Sequence, residues 1–241
     1  PPSPRDALLR LRRGALAVLC VAAVAGLAAA TESDEHGDRT YYFYDRLPYG
    51  NERLISPLRT ITSGGLGILE MDNRSNQLSD VDWHNGWHNL WRNLANPVRA
   101  IEEKGWGEFF KSEIIPVSID RGNAQYWPNY MNHLLGGGFS YRLMREWYRS
   151  RGFRHETAWS IGTMATYHLL NETVEMHDKD GWRVDPVADM YVFNVAGILL
   201  FSSDRVARFF GQTLNMNDWS LLSYYDPARG TLENVQQKYM V

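Results

Sequence analysis

Cysteine is almost absent from this 241-residue chain: the one present, Cys20, lies inside an apolar run near the N-terminus. A chain cleaved after that run would hold no cysteine. It could then form no disulfide, which an oxidising compartment permits but does not require, and no zinc site built on thiolates. Basic tracts are missing after residue 30. Arg5, Arg10, Arg12 and Arg13 against Asp6 give the first thirty residues a balance of +3, and the total is −3, which leaves −6 for the rest. Nucleic acid is therefore excluded as a partner. Long apolar runs are also lacking beyond the leader. The stretch 158–170 is interrupted by His168, the stretch 190–201 contains Asn194, and mean hydropathy is −0.41. A membrane-spanning helix needs about 20 apolar residues. Signature loops are missing as well. The glycine-rich stretch 63–67 has no Lys-Ser/Thr after it, neither Ser140 nor Ser160 lies in G-x-S-x-G, and no dinucleotide motif occurs.

What is present begins with a leader. Arg10, Arg12 and Arg13 precede an apolar run from Ala15 to Ala30 that ends in three alanines before Thr31-Glu32-Ser33-Asp34. A basic start, a short apolar middle and a small-residue end have the layout of a secretory signal peptide. The expectation is export, to the periplasm or outer membrane of a Gram-negative cell. The first residue is Pro1 rather than Met, and the last residues stop without a terminator, so sequence is expected to be missing at both ends.

Aromatic residues are plentiful, with 9 Trp and 13 Tyr. Such side chains suit membrane interfaces, sugar contacts and the rims of partner surfaces. The segment 80–93 concentrates them. Trp83 and Trp87 are four apart, as are His84 and His88, so on a helix each pair shares a face. Two histidines at that spacing can hold a metal, but no Glu follows His84, and Gly86 weakens the helix. An aromatic interface segment is the stronger reading, and it predicts a membrane surface or an envelope protein as partner.

Helix signals dominate the middle of the chain. Asn96-Pro97 opens a helix that Gly105 ends. Three longer helices follow, over 128–149 with Gly152 as the stop, over 155–177, and over 185–201 with Asp185 as cap and Pro186 at the first position. Ser203 caps a shorter helix ending at Gly211. Gly136, Gly137, Gly138 and Gly162 are expected to let backbones approach closely. Short connections favour antiparallel neighbours. The predicted fold is mainly α: an antiparallel bundle of three to five helices, with an irregular aromatic-rich N-terminal part and a short strand at the C-terminus. The domain reading is a signal peptide over 1–30, a linker and irregular region over 31–90, a helical domain over 91–212, and a tail over 213–241 that opens a truncated β region.

Polar residues inside these apolar helices mark the candidate site. An unpaired buried polar group costs roughly 1–3 kcal/mol, so such groups are hydrogen-bonded, metal-bound or catalytic. His133, Glu172 and Asp189 are the candidate catalytic set. Asn132, His168, Asn171, Glu175, Asp185 and Asn194 are the candidate binding residues or structural polar network. His168, Glu172 and Glu175 form one stripe at i, i+4 and i+7. Carboxylates and a histidine on facing helices are similar in kind to the carboxylate-rich metal sites of helix bundles, although those use Glu-x-x-His and here the order is His168 then Glu172. The sequence assigns neither a metal nor a cofactor.

The H-x-x-G-G motif at His133 to Gly137, the N-E pair at Asn171 and Glu172, and the D-P-x-A-D-x-x-x-N-x-x-G run at Asp185 to Gly197 together resemble an uncharacterised family of Gram-negative envelope proteins, a domain of unknown function. The resemblance covers about Trp91 to Phe210. The order of histidine–glycine, glutamate and aspartate–asparagine–glycine on successive helices is more loosely similar to VanZ-like proteins, whose long hydrophobic spans this chain lacks. These resemblances imply location and fold rather than chemistry. Two functions follow as expectations: a membrane-associated structural or interaction module of the envelope, or an envelope enzyme. The enzyme would be a metal-dependent or acid–base hydrolase acting on a lipid or cell-wall substrate.

Overall fold

The computed structural model describes residues 41–46, 54–71, 76–115, 127–235 and 239–240. The expected signal peptide over 1–30 with Cys20, the linker over 31–40, and the turns at 48–51 and 121–123 lie outside the described residues. The β-branched stretch 114–120, expected from its sequence as a strand or an extended connector, lies outside them from residue 116 on, and its first residue, Ile114, closes a helix.

The chain is mainly α, with short strands near the C-terminus. Helix α1 joins Pro57–Arg59 to a wider π-helical turn, Thr60–Gly64, and α2 is Ile68–Met71. Helix α3 spans Trp83–Ala95, and Asp82 caps it by accepting the Asn85 N–H at 3.0 Å. This helix crosses the expected boundary at residue 90, so the region before it is not irregular throughout. Helix α4 is Pro97–Lys104, and Gly105 ends it in the left-handed region at φ 92°. Helix α5 joins Trp106–Phe109 to the π-helical Phe110–Ile114.

Three long helices follow. Helix α6 opens as the π-helical stretch Trp127–Gly137 and continues as Gly138–Ser150. Helix α7 is Glu156–Glu175. Helix α8 runs in three stretches, Asp185–Ala188, the π-helical Asp189–Phe193, and Asn194–Ser202. Helix α9 joins Asp204–Arg208 to Phe209–Thr213, passing the expected stop at Gly211. Pro97 and Pro186 open their helices as expected. The expected side-chain caps are not made. Asn96 instead turns back to the Arg92 carbonyl at 2.9 Å, and Asp185 bonds Glu113.

Helix α6 is the middle member, packed against both α7 and α8. Its contact with α8 depends on two glycines. A Cβ at Gly138 would lie 2.7 Å from the Gly197 carbonyl, and one at Gly197 would lie 2.6 Å from the Leu134 carbonyl. Gly162 does not serve this purpose, because a Cβ there would meet nothing within 4 Å. Gly86, expected only to weaken its helix, brings α3 against the Thr173 carbonyl of α7.

The largest core unites Phe139, Tyr141 and Met144 of α6, Ile161 and Met164 of α7, and Phe201 of α8. The aromatic segment 42–44 joins it as a docked peptide. Glu146 Oε2 accepts the backbone N–H groups of Tyr42, Phe43 and Tyr44 at 3.0, 2.8 and 3.0 Å. At the C-terminal end, β1 (Asn217–Asp218) pairs antiparallel with β4 (Tyr239–Met240), and β2 (Tyr224–Asp226) with β3 (Thr231–Glu233). The single expected strand is thus two short antiparallel pairs. Arg59 ties this end to α1 through Asp218 at 3.2 Å and the Ser220 carbonyl at 2.8 Å.

Candidate functional site

The helices α6, α7 and α8 bring His133, Glu172 and Asp189 together in the interior. One ligand-type atom from each lies within 4.8 Å of the others, and all three side chains are buried. His133 sits in the π-helical opening of α6, and Asp189 begins the π-helical stretch of α8. Such wide turns re-aim side chains and are frequent at functional sites. Nothing in the helical spacing of the sequence announces them.

His133 Nδ1 faces Asn194 Oδ1 at 3.0 Å, while Asn194 Nδ2 is turned to Met190 Sδ at 3.4 Å. The amide oxygen is thus the acceptor, and Nδ1 carries the proton. His133 Nε2 then points its lone pair at Asp189 Oδ2, 3.5 Å away. Burial lowers the His133 pKa to about 4, against the opposing pull of the Asn194 hydrogen bond. Burial and the neighbouring His133 hold His168 well below its usual value. The carboxyls move the other way. Glu172 is pushed well up by burial, then by Asp189, Glu175 and Asp185. Asp189 is pushed well up by burial, then by Glu175, Asp185 and Glu113. The His133–Asp189 contact is therefore not an ion pair at neutral pH. Both partners favour their neutral forms unless another positive charge is supplied.

Glu172 is the outlier. Both of its carboxylate oxygens are buried without a hydrogen-bond partner, as are Asp189 Oδ1 and His168 Nδ1. Among the described residues, the other two fully buried glutamates are well supplied. Glu113 accepts from Lys104 Nζ at 2.6 Å, Ser112 Oγ at 2.9 Å and Asn129 Nδ2 at 3.4 Å. Glu146 accepts from Arg142 Nε at 2.8 Å and from the three backbone groups of the docked segment.

The remaining sequence candidates divide. Asn194 belongs to the cluster through His133, and the His168 ring lies 5.3 Å from that of His133. Glu175 and Asp185 act on the cluster by charge. Asn171 points elsewhere, to the Gly64 carbonyl at 3.4 Å, and half-buried Asn132 makes no hydrogen bond to the cluster. His84 and His88 are exposed on α3, and among the described residues no third ligand joins them. Glu113, which bonds Asp185, was not visible as a member of this neighbourhood. Its helix α5 lies far back in the sequence and carries no polar motif.

A second feature lies on the surface. Trp83, Trp87 and Trp91 follow one another at i, i+4 and i+8 on α3, with 39, 50 and 42% of their surface exposed. The last two rings stack at 6.1 Å. No single helix among the described residues is long and apolar enough to cross a membrane; α8 and α9 pass only as a pair, bent by 82°. Comparison of the chain with protein-family models, curated proteins and solved structures returns no match.

Proposed function

We propose that this chain is an exported cell-envelope protein that works against a membrane surface, held there by the tryptophan face of α3. The observation that carries this reading is the row of three exposed indole rings at one helical spacing. Indoles favour the headgroup level of a bilayer, where the ring is apolar and the N–H is wet. The leader-like N-terminal sequence and the resemblance to an uncharacterised envelope family support the same location, in the periplasm or at the inner face of the outer membrane. The short connections at 151–155 and 176–184 support an antiparallel bundle as its body. Flotation with phospholipid vesicles tests the reading. The wild type rises with the vesicles, and a variant carrying Trp83→Ala, Trp87→Ala and Trp91→Ala stays behind with its melting temperature little changed. Equal flotation of the two proteins would contradict it.

One observation favours a second reading, in which the protein is an envelope enzyme acting on a lipid or cell-wall substrate. The bare, buried oxygens of Glu172 beside His133 and Asp189 are a costly arrangement for a purely structural network. In this reading a carboxyl with a raised pKa and a neutral imidazole divide acid and base roles, or the three side chains together hold a metal.

A further inference from the structure

A comparison within the molecule separates Glu172 from its peers. Glu113 and Glu146 are equally buried, and each meets a cation and several donors. Glu172 meets neither, and its oxygens lie with His133 and Asp189. The hydrogen bond from His133 Nδ1 to Asn194 leaves an imidazole lone pair facing a carboxyl oxygen at 3.5 Å. Two acceptors in that relation need something positive between them. A proton can answer one such contact. It leaves both Glu172 oxygens and Asp189 Oδ1 bare.

We propose that His133 Nε2, Glu172 and Asp189 bind one divalent transition-metal ion. The residues present fit that group in four ways. Donors about 2.1 Å from a tetrahedral ion lie about 3.4 Å from one another, and the His133–Asp189 pair already stands at 3.5 Å. Glu172 has no hydrogen bond to break as it closes on the same point. Two carboxylates neutralise a divalent ion, which suits a dry interior. His133 gives its other ring N–H to an amide oxygen, the orienting contact that metal-bound histidines ordinarily make.

One imidazole with two carboxylates selects zinc, iron(II) or manganese over calcium and magnesium, which prefer oxygen alone. Three protein donors also leave a coordination position for water, as catalytic sites do. His168 stands outside the donor set, and its partnerless Nδ1 makes it a candidate to orient whatever occupies that position. The inference is independent of the membrane reading. The enzyme reading needs it only in its metal-dependent form.

The test uses the full chain, stripped with a chelator and then dialysed against zinc or cobalt(II). Metal content is measured by mass spectrometry, and the cobalt form by its visible absorption. The expected result is one ion per chain, a melting temperature raised by the metal, and loss of both in Glu172→Gln and Asp189→Asn. A variant carrying His84→Gln and His88→Gln should bind as the wild type does. Substoichiometric metal in the wild type, or undiminished binding by folded Glu172→Gln, overturns the proposal. Should neither site variant fold, the wild type decides alone. A cobalt spectrum with imidazole and carboxylate ligands supports the proposal, and the spectrum of aqueous cobalt refutes it.

Discussion

Asp185 shows how one side chain's surroundings become a pH dependence. It is half-buried at the start of α8, bonded to Glu113, and its pKa is raised to about 6. Burial is the largest cause, followed by the Glu113 charge, with Lys104 and Arg183 opposing. An unfolded aspartate titrates near 3.9. Between the two values the folded chain binds the proton more tightly than the unfolded chain. This contribution is therefore complete below pH 4 and is lost as pH rises through 6. Asp185→Asn keeps the shape and removes the titration. Its stability relative to the wild type should rise between pH 4 and pH 7, by up to about 3 kcal/mol from the size of the shift. Urea unfolding at the two pH values measures this, and a difference independent of pH would refute it. At this scale the sequence was informative about His133, Glu172, Asp189 and Asn194, because polar groups within apolar helices must meet something. It was silent about Glu113, whose link to Asp185 arises only when α5 docks.

Helix α3 has two working faces, and only one was legible. The tryptophan row stands out in the sequence because large apolar side chains recur every four residues. The opposite row, Asn85, Asn89 and Asn93, has the same spacing and does the structural work. Asn85 donates to the His177 carbonyl at 2.8 Å, Asn89 to the Met176 and Lys179 carbonyls at 3.2 and 2.5 Å, and Asn93 Oδ1 accepts the Arg183 N–H at 3.1 Å. Asn85 and Asn89 thus supply donors to carbonyls in the turn after α7, and Asn93 supplies an acceptor to the Arg183 backbone N–H. An asparagine side chain does not reveal its partner from sequence, so a capping role that crosses between helices could not be read. Asn89→Ala should cost about 1–3 kcal/mol by leaving the Lys179 carbonyl without its donor, while the Met176 carbonyl keeps the Lys179 N–H at 3.3 Å. Trp87→Ala on the exposed face should change stability by less than about 0.5 kcal/mol. Thermal unfolding of the pair checks both, and equal losses would contradict the division of faces. Helix ends marked by Pro97, Gly105, Gly152 and Pro186 were legible because those residues fix the backbone locally. The π-helical turns were not, since a widened turn is a tertiary compromise with no residue signature of its own. The short β pairs also escaped, because their partners lie up to 23 residues apart in the chain.

Across the whole molecule, α6 lies between α7 and α8, the segment 42–44 is fastened to Glu146, and strand β1 and Ser220 after it are fastened to Arg59. Among the fully buried glutamates described, Glu113 and Glu146 thus meet cations and donors, and Glu172 is the exception. That exception is the centre of the account, because the folded state bears a cost there which metal binding would offset. Thermal unfolding of metal-free wild type against metal-free Glu172→Gln measures it directly, repeated with zinc. The metal-free variant should be at least as stable as the wild type, with a gain of up to about 3 kcal/mol from removing a partnerless buried carboxylate. Zinc should then raise the melting temperature of the wild type alone. A variant clearly less stable than the metal-free wild type, with zinc moving neither, would show Glu172 to be an ordinary member of a satisfied polar network and would contradict the account.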